Sequence, residues 1–216
     1  MKNISTAFHR STNAKTAFTL IELLAITAVV LVLMGITFGV TKGVLNQQAR
    51  SQARAELAMI AQALEEFKLT YGDYPIVAED DPVGTNANAK ALTLALTGFL
   101  YLKPGTVEGS REMIEVDNSK SFIDIEKMNL SEDFGAPLTY AQLNEDSFLL
   151  DPWREPYVYV YHKGSSVNSW DNISYVLFSK GPDREAELDD TIINTGILDQ
   201  AHYSEDENKD NIYPNQ

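Results

Sequence analysis

Phe18-Thr-Leu-Ile-Glu22 opens a run that continues Leu-Leu-Ala-Ile-Thr-Ala-Val-Val-Leu-Val-Leu-Met-Gly35-Ile-Thr-Phe-Gly39-Val-Thr41 without a further charge. As a helix, residues 18–41 would reach about 36 Å, more than the roughly 30 Å of a hydrocarbon layer. The run is therefore expected to be a transmembrane helix. Its single charge needs a reason, because an acid at a bilayer centre costs roughly 2.5 to 3.5 kcal/mol on insertion scales. One reading makes Thr19-Leu-Ile-Glu22 a capping box, with the acid at the positive end of the helix dipole. The other gives Glu22 a functional partner.

Working outward, residues 42–71 contain no proline, and Leu57, Ile60, Leu64, Phe67 and Tyr71 step by three and four. That spacing predicts an amphipathic continuation of the same helix, with its stripe laid on a soluble domain. Tyr71-Gly72-Asp-Tyr74-Pro75 ends it, glycine suiting the left-handed cap and proline blocking extension. Gly35, Gly39 and Gly43 recur every four residues. They either admit another helix backbone or simply loosen this one. Residues 1–17 are basic and rich in Ser, Thr and Asn, a leader without a fold of its own.

Residues 72–198 read as one modest globular head. Ala89 to Gly98 has a helical pattern, and 103–146 gives only weak signals of loop and short strand. Asp151-Pro-Trp-Arg-Glu-Pro156 is a turn before Tyr157-Val-Tyr-Val-Tyr161, whose alternation puts tyrosines on one strand face and valines on the other. A second strand, 175–179, is spaced to pair with it antiparallel across a long loop. The tail, 199–216, is acidic and polar and reads as mobile. The expected class is α+β: a long amino-terminal helix, transmembrane then amphipathic, packed on a small antiparallel sheet head.

The net charge of −14 argues against nucleic acid as a partner. Loss of the leader would remove Lys2, Arg10 and Lys15 and make the remainder more acidic still. With no cysteine, disulfides and thiolate metal sites are excluded. The three histidines, His9, His162 and His202, are scattered, and there is no zinc-protease, phosphate-loop or nucleophile-elbow motif. An enzyme is not expected.

Lys15-Thr-Ala17-Phe18-Thr-Leu-Ile-Glu22-Leu-Leu resembles the processing signature of type IV pilins and of type II secretion pseudopilins. The resemblance implies cleavage between Ala17 and Phe18 by a prepilin peptidase and methylation of the new amino terminus. It also implies a role for Glu22 in pairing with the amine of a neighbouring subunit. The family has glycine before the cut, and this chain has Ala17. The tract Asp151 to Asn194 resembles the carboxyl-terminal part of major pseudopilins, where the corresponding loop binds calcium. That implies Asp183, Asp189 and Asp190 as ligands, with backbone carbonyls near Lys180. Arg184 and Glu185-Ala-Glu187 stand where the family has glycines, and by spacing alone the loop is an ordinary acidic surface.

The function implied is a structural subunit of a type II secretion pseudopilus, resembling the major subunit and driving protein export. Implied partners are further copies, other pseudopilins, the prepilin peptidase, an inner-membrane assembly platform and the membrane itself. The implied location is the bacterial inner membrane in a single pass, amino terminus cytoplasmic and head periplasmic. Two alternatives remain open: a type IV pilin of a surface fibre for adhesion or DNA uptake, and a single-span anchored binding module or enzyme. Against a secretory signal peptide at this end stand the length of the apolar run, too great for a typical signal core, and the lack of a small-x-small cleavage site after it.

Overall fold

The structure, a computed structural model, describes residues 19–76, 86–104, 111–115, 120–132, 138, 142–144, 146–161 and 170–214. Within these, the side chains of residues 36–43, 86–87, 100–104, 111–115 and 190 lie outside the description. The chain divides into two units, residues 1–44 and 45–216.

Helix α1, Leu20–Tyr71, runs through both. It contains no proline, and it ends where Gly72 takes φ 87° and donates its N–H to the Lys68 carbonyl at 2.7 Å. In the first unit the large apolar side chains from Leu20 to Met34 are exposed, by between 43% and 84%. Among the described residues no helix is long and apolar enough to cross a membrane. This corrects the expected transmembrane segment 18–41, the helix-in-membrane part of the expected fold class, and the single-pass inner-membrane placement. The run carries Glu22, a charge that a bilayer interior accepts only at a cost of roughly 2.5 to 3.5 kcal/mol, and beyond Leu45 the chain turns polar at Asn46, Gln47 and Gln48.

In the second unit, α1 buries Leu57, Ile60, Leu64 and Phe67 and half-buries Tyr71, the stripe that its spacing marks out, and it buries Ala53 as well. Burial of each large side chain contributes about 1.5–3 kcal/mol. Against this stripe pack α2, Asn86–Thr97, through Leu92, Ala95 and Leu96, and two of the three two-stranded antiparallel sheets among the described residues, one through Leu130 and Leu149 and the other through Tyr159 and Leu177. The strands are β1 Leu100–Pro104 with β2 Arg111–Glu115, β3 Asn129–Glu132 with β4 Ser147–Leu150, and β5 Val158–Val160 with β6 Val176–Phe178. A short helix, α3, spans Asp190–Thr195. The described residues are thus α+β.

The β5–β6 sheet is buried on both faces, which the Tyr/Val alternation explains. Tyr157, Tyr159, Tyr161 and Leu177 belong to the cluster on α1, while Val158, Val160, Val176 and Phe178 meet Ile192 and Tyr213 on the other side. The buried phenols find partners. Tyr157 donates to Glu56 Oε2 at 2.5 Å, and Tyr159 donates to the Pro75 carbonyl at 2.8 Å. Glu56, 2% exposed on the inner face of α1, also accepts from Gln52 at 2.8 Å, and burial raises its carboxyl above the usual range. Its charge is kept within hydrogen-bond reach of two donors, as burial requires.

Residues 199–214 are packed rather than free. His202, Asn208, Asn211, Ile212 and Tyr213 are buried, and Ile212 exchanges two 2.9 Å backbone bonds with Ser179 at the end of β6. His202 Nε2 lies 2.7 Å from the Tyr213 hydroxyl, and Nδ1 lies 3.2 Å from the Asn208 side-chain nitrogen. Burial lowers the imidazole below its usual range.

Candidate functional site

At the start of α1, Thr19 and Glu22 form a reciprocal pair. Glu22 Oε2 accepts the Thr19 N–H at 3.1 Å and its hydroxyl at 3.0 Å, and Thr19 Oγ1 accepts the Glu22 N–H at 3.3 Å. Two helix-end donors are satisfied in this way, which is the capping box that the spacing allows. Both contacts to the carboxylate fall on Oε2, so the cap leaves Oε1 for another donor. Ala17 and Phe18 lie outside the described residues, as do the positions at Gly39 and Gly43 beyond their helical backbone. At Gly35 a Cβ would meet nothing within 4 Å, so no contact among the described residues demands glycine there.

The second site is built around Asp151, fully buried at the head of the 151–156 turn. Its Oδ1 accepts the N–H groups of Trp153 and Glu155, both at 2.9 Å, and its Oδ2 accepts the Ser179 hydroxyl at 2.5 Å. Ser179 Oγ in turn accepts the Gly181 N–H at 3.1 Å. One carboxyl therefore ties the turn before β5 to the loop after β6. Burial pushes it up to about 6, against the hydrogen bonds that favour its charged form.

Beyond Ser179 the loop is shaped by close approach to the carboxyl-terminal segment. Gly181 has φ 75°, and a Cβ there would fall 2.3 Å from the Asp210 carbonyl oxygen. No other residue fits. Arg184, standing where the resemblance has glycine, itself takes the left-handed conformation with φ 67°. The substitution keeps the backbone path, at a cost of about 1 kcal/mol.

The three aspartates singled out from sequence divide among different tasks. Asp183 Oδ1 accepts the Glu185 N–H at 2.9 Å, and its own N–H donates to Asp210 Oδ2 at 3.2 Å. Asp189 is the N-cap of α3, accepting the Ile192 N–H at 2.7 Å. The Asp190 side chain lies outside the described residues. Sequence reading missed Asp210. Its carboxyl is raised by burial and by a hydrogen bond with Asp183, its Oδ1 is buried with no hydrogen-bond partner, and Arg50 stands 3.9 Å from Oδ2. Among the described residues, Glu187, Glu205 and Glu207 also bring carboxylate oxygens within 4.8 Å of one another. The signal for Asp210 is absent locally, since it lies in a tract that reads as a polar tail.

No protein-family description, no curated protein and no solved structure matches this chain.

Proposed function

We propose that the protein is a filament subunit of the type II secretion pseudopilin kind, which polymerises through the first part of α1. The observation that supports this is the apolar arm from Leu20 to Met34, exposed around its whole circumference. A helix that is apolar all round belongs in the centre of a bundle rather than on one partner's surface. The same segment of further copies supplies such a bundle. Burying half-exposed Leu, Ile and Val side chains yields about 1 kcal/mol apiece, so the arm carries assembly on the order of 10 kcal/mol per copy. The work assigned is mechanical: added copies lengthen a fibre that pushes folded cargo outward.

Processing between Ala17 and Phe18 would free the amine that this assembly uses. Mass spectrometry of the native protein is expected to find a chain that begins at methylated Phe18, and Ala17→Trp is expected to leave the precursor uncut. An unmodified amino terminus with the leader retained overturns the reading.

Calcium belongs to the same proposal. The partnerless Oδ1 of Asp210 beside Asp183 is the feature that fits a hard cation, because a cation relieves two crowded carboxyls and fills an orphaned acceptor. Asp189 is engaged as a cap and contributes at most its other oxygen. Millimolar calcium is expected to raise the melting temperature by several degrees, more than equal magnesium. Asp210→Asn is expected to remove the difference. An unchanged melting curve leaves the loop an ordinary acidic surface.

A further inference from the structure

The outer edge of β6 opens onto a groove of about 910 Å³ within the second unit, at the upper end of the range of about 300–1,000 Å³ for ligand sites. Ser179 directs both its N–H and its C=O away from β5, toward Ile212. Because these directions alternate along an antiparallel strand, Leu177 and Tyr175 turn theirs to the same side. Among the described residues the pairing does not continue: after Ile212 the segment reaches Pro214, which has no N–H to give. Leu177 and Tyr175 both line the groove.

The groove also has two walls of different chemistry. On the side of the sheet where Tyr159 and Leu177 meet α1, the wall is Ala61, Gln62 and Glu65. On the side where Val176 and Phe178 point, the wall is Leu198, Tyr203 and Tyr213. Asp171 adds a second carboxylate to the lining, and Ile197 is 49% exposed.

We infer that this groove binds an extended polypeptide strand, with alternating basic and apolar side chains, by adding it to the edge of β6. An open strand edge is matched by another extended backbone, which alone supplies donors and acceptors at the strand spacing. A strand entering the sheet sends successive side chains to opposite faces. Here one face offers Glu65 and Gln62 and the other offers Leu198, Tyr203 and Tyr213, which selects basic residues at every second position and apolar residues between them. The inference does not depend on the filament reading, since the groove lies wholly in residues 45–216.

The test is hydrogen exchange of the full chain with the probe peptide acetyl-Val-Lys-Val-Lys-Val-amide. Exchange at the Leu177 and Tyr175 amides is expected to slow at least tenfold at saturation. The amides of Val176 and Phe178, which face β5, are expected to keep their rates. A peptide with both lysines replaced by glutamate, and one methylated at alternate backbone nitrogens, are expected to give no protection. Glu65→Gln retains the acceptor for the Tyr74 hydroxyl while removing the charge, and it is expected to weaken the peptide about threefold. The inference is overturned by unchanged exchange at millimolar peptide or by equal protection from the methylated peptide. It is also overturned if the protection grows with protein concentration alone, which would assign the edge to a second copy.

Discussion

Asp151→Ala is expected to destabilise the fold by about 3 kcal/mol, because it strands the N–H groups of Trp153 and Glu155 and the hydroxyl of Ser179 in a site that excludes water. For a chain of this size that is a drop in melting temperature on the order of 10 °C. The loss spreads beyond the turn. Ser179 carries both the Gly181 N–H and the Ile212 backbone pair, so loosening it frees the start of the 180–190 loop and the carboxyl-terminal segment together.

The same residue gives a pH signature of definite sign. Its carboxyl sits at about 6 in the folded chain against 3.8 as its ordinary value, so the folded state holds the proton more tightly than the unfolded one. Stability from this group is therefore fully present below about pH 4 and is lost as pH rises through 6. Between pH 5 and pH 7 the expected loss is about 1.3 kcal/mol. Glu56 and Asp210, both raised, add to it in the same direction. Asp151→Asn keeps an oxygen for the two N–H groups and removes the titration. Denaturant midpoints at pH 5 and pH 7 should therefore move closer together in Asp151→Asn than in the parent chain, and an unaltered gap would remove Asp151 as the source.

What could be read from the sequence was what repeats at short range. The three-and-four spacing of Leu57, Ile60, Leu64 and Phe67 names the buried stripe of α1, and the Tyr/Val alternation at 157–161 names both faces of β5. Both patterns are set by local geometry, so local sequence suffices. The pairing of β1 with β2 and of β3 with β4 left no such mark, because those strands are short and sit among acidic and polar residues. The tail failed for a related reason. Its few anchors, His202, Ile212 and Tyr213, are scattered among acids, and only long-range contacts with Ser179 and Phe178 show them to be buried. Glu56 was hidden because a carboxylate on a helix reads as solvated until Tyr157, 101 positions away, is seen to cover it. The membrane reading came from counting apolar residues, a count that does not distinguish a lipid-facing helix from one meant for the centre of a protein bundle.

That distinction rests on Glu22, and two substitutions separate its roles. In the chain alone one oxygen of its carboxylate serves the Thr19 cap, a task that glutamine also performs, since the capping box takes either Glu or Gln at its last position. Loss of the cap in Glu22→Ala costs on the order of 1 kcal/mol at one helix end and leaves the second unit untouched. If capping were its whole task, Glu22→Gln would assemble as the parent does. If the carboxylate instead meets the amine of a neighbouring copy among buried apolar side chains, glutamine cannot replace it, because the amine then lies buried and uncompensated at a cost of about 3–5 kcal/mol. Both Glu22→Gln and Glu22→Ala are therefore expected to fold normally, with parent-like melting of the second unit, and to form no fibres by electron microscopy. Abundant fibres from Glu22→Gln would reduce Glu22 to a helix cap and remove the charge from the assembly mechanism.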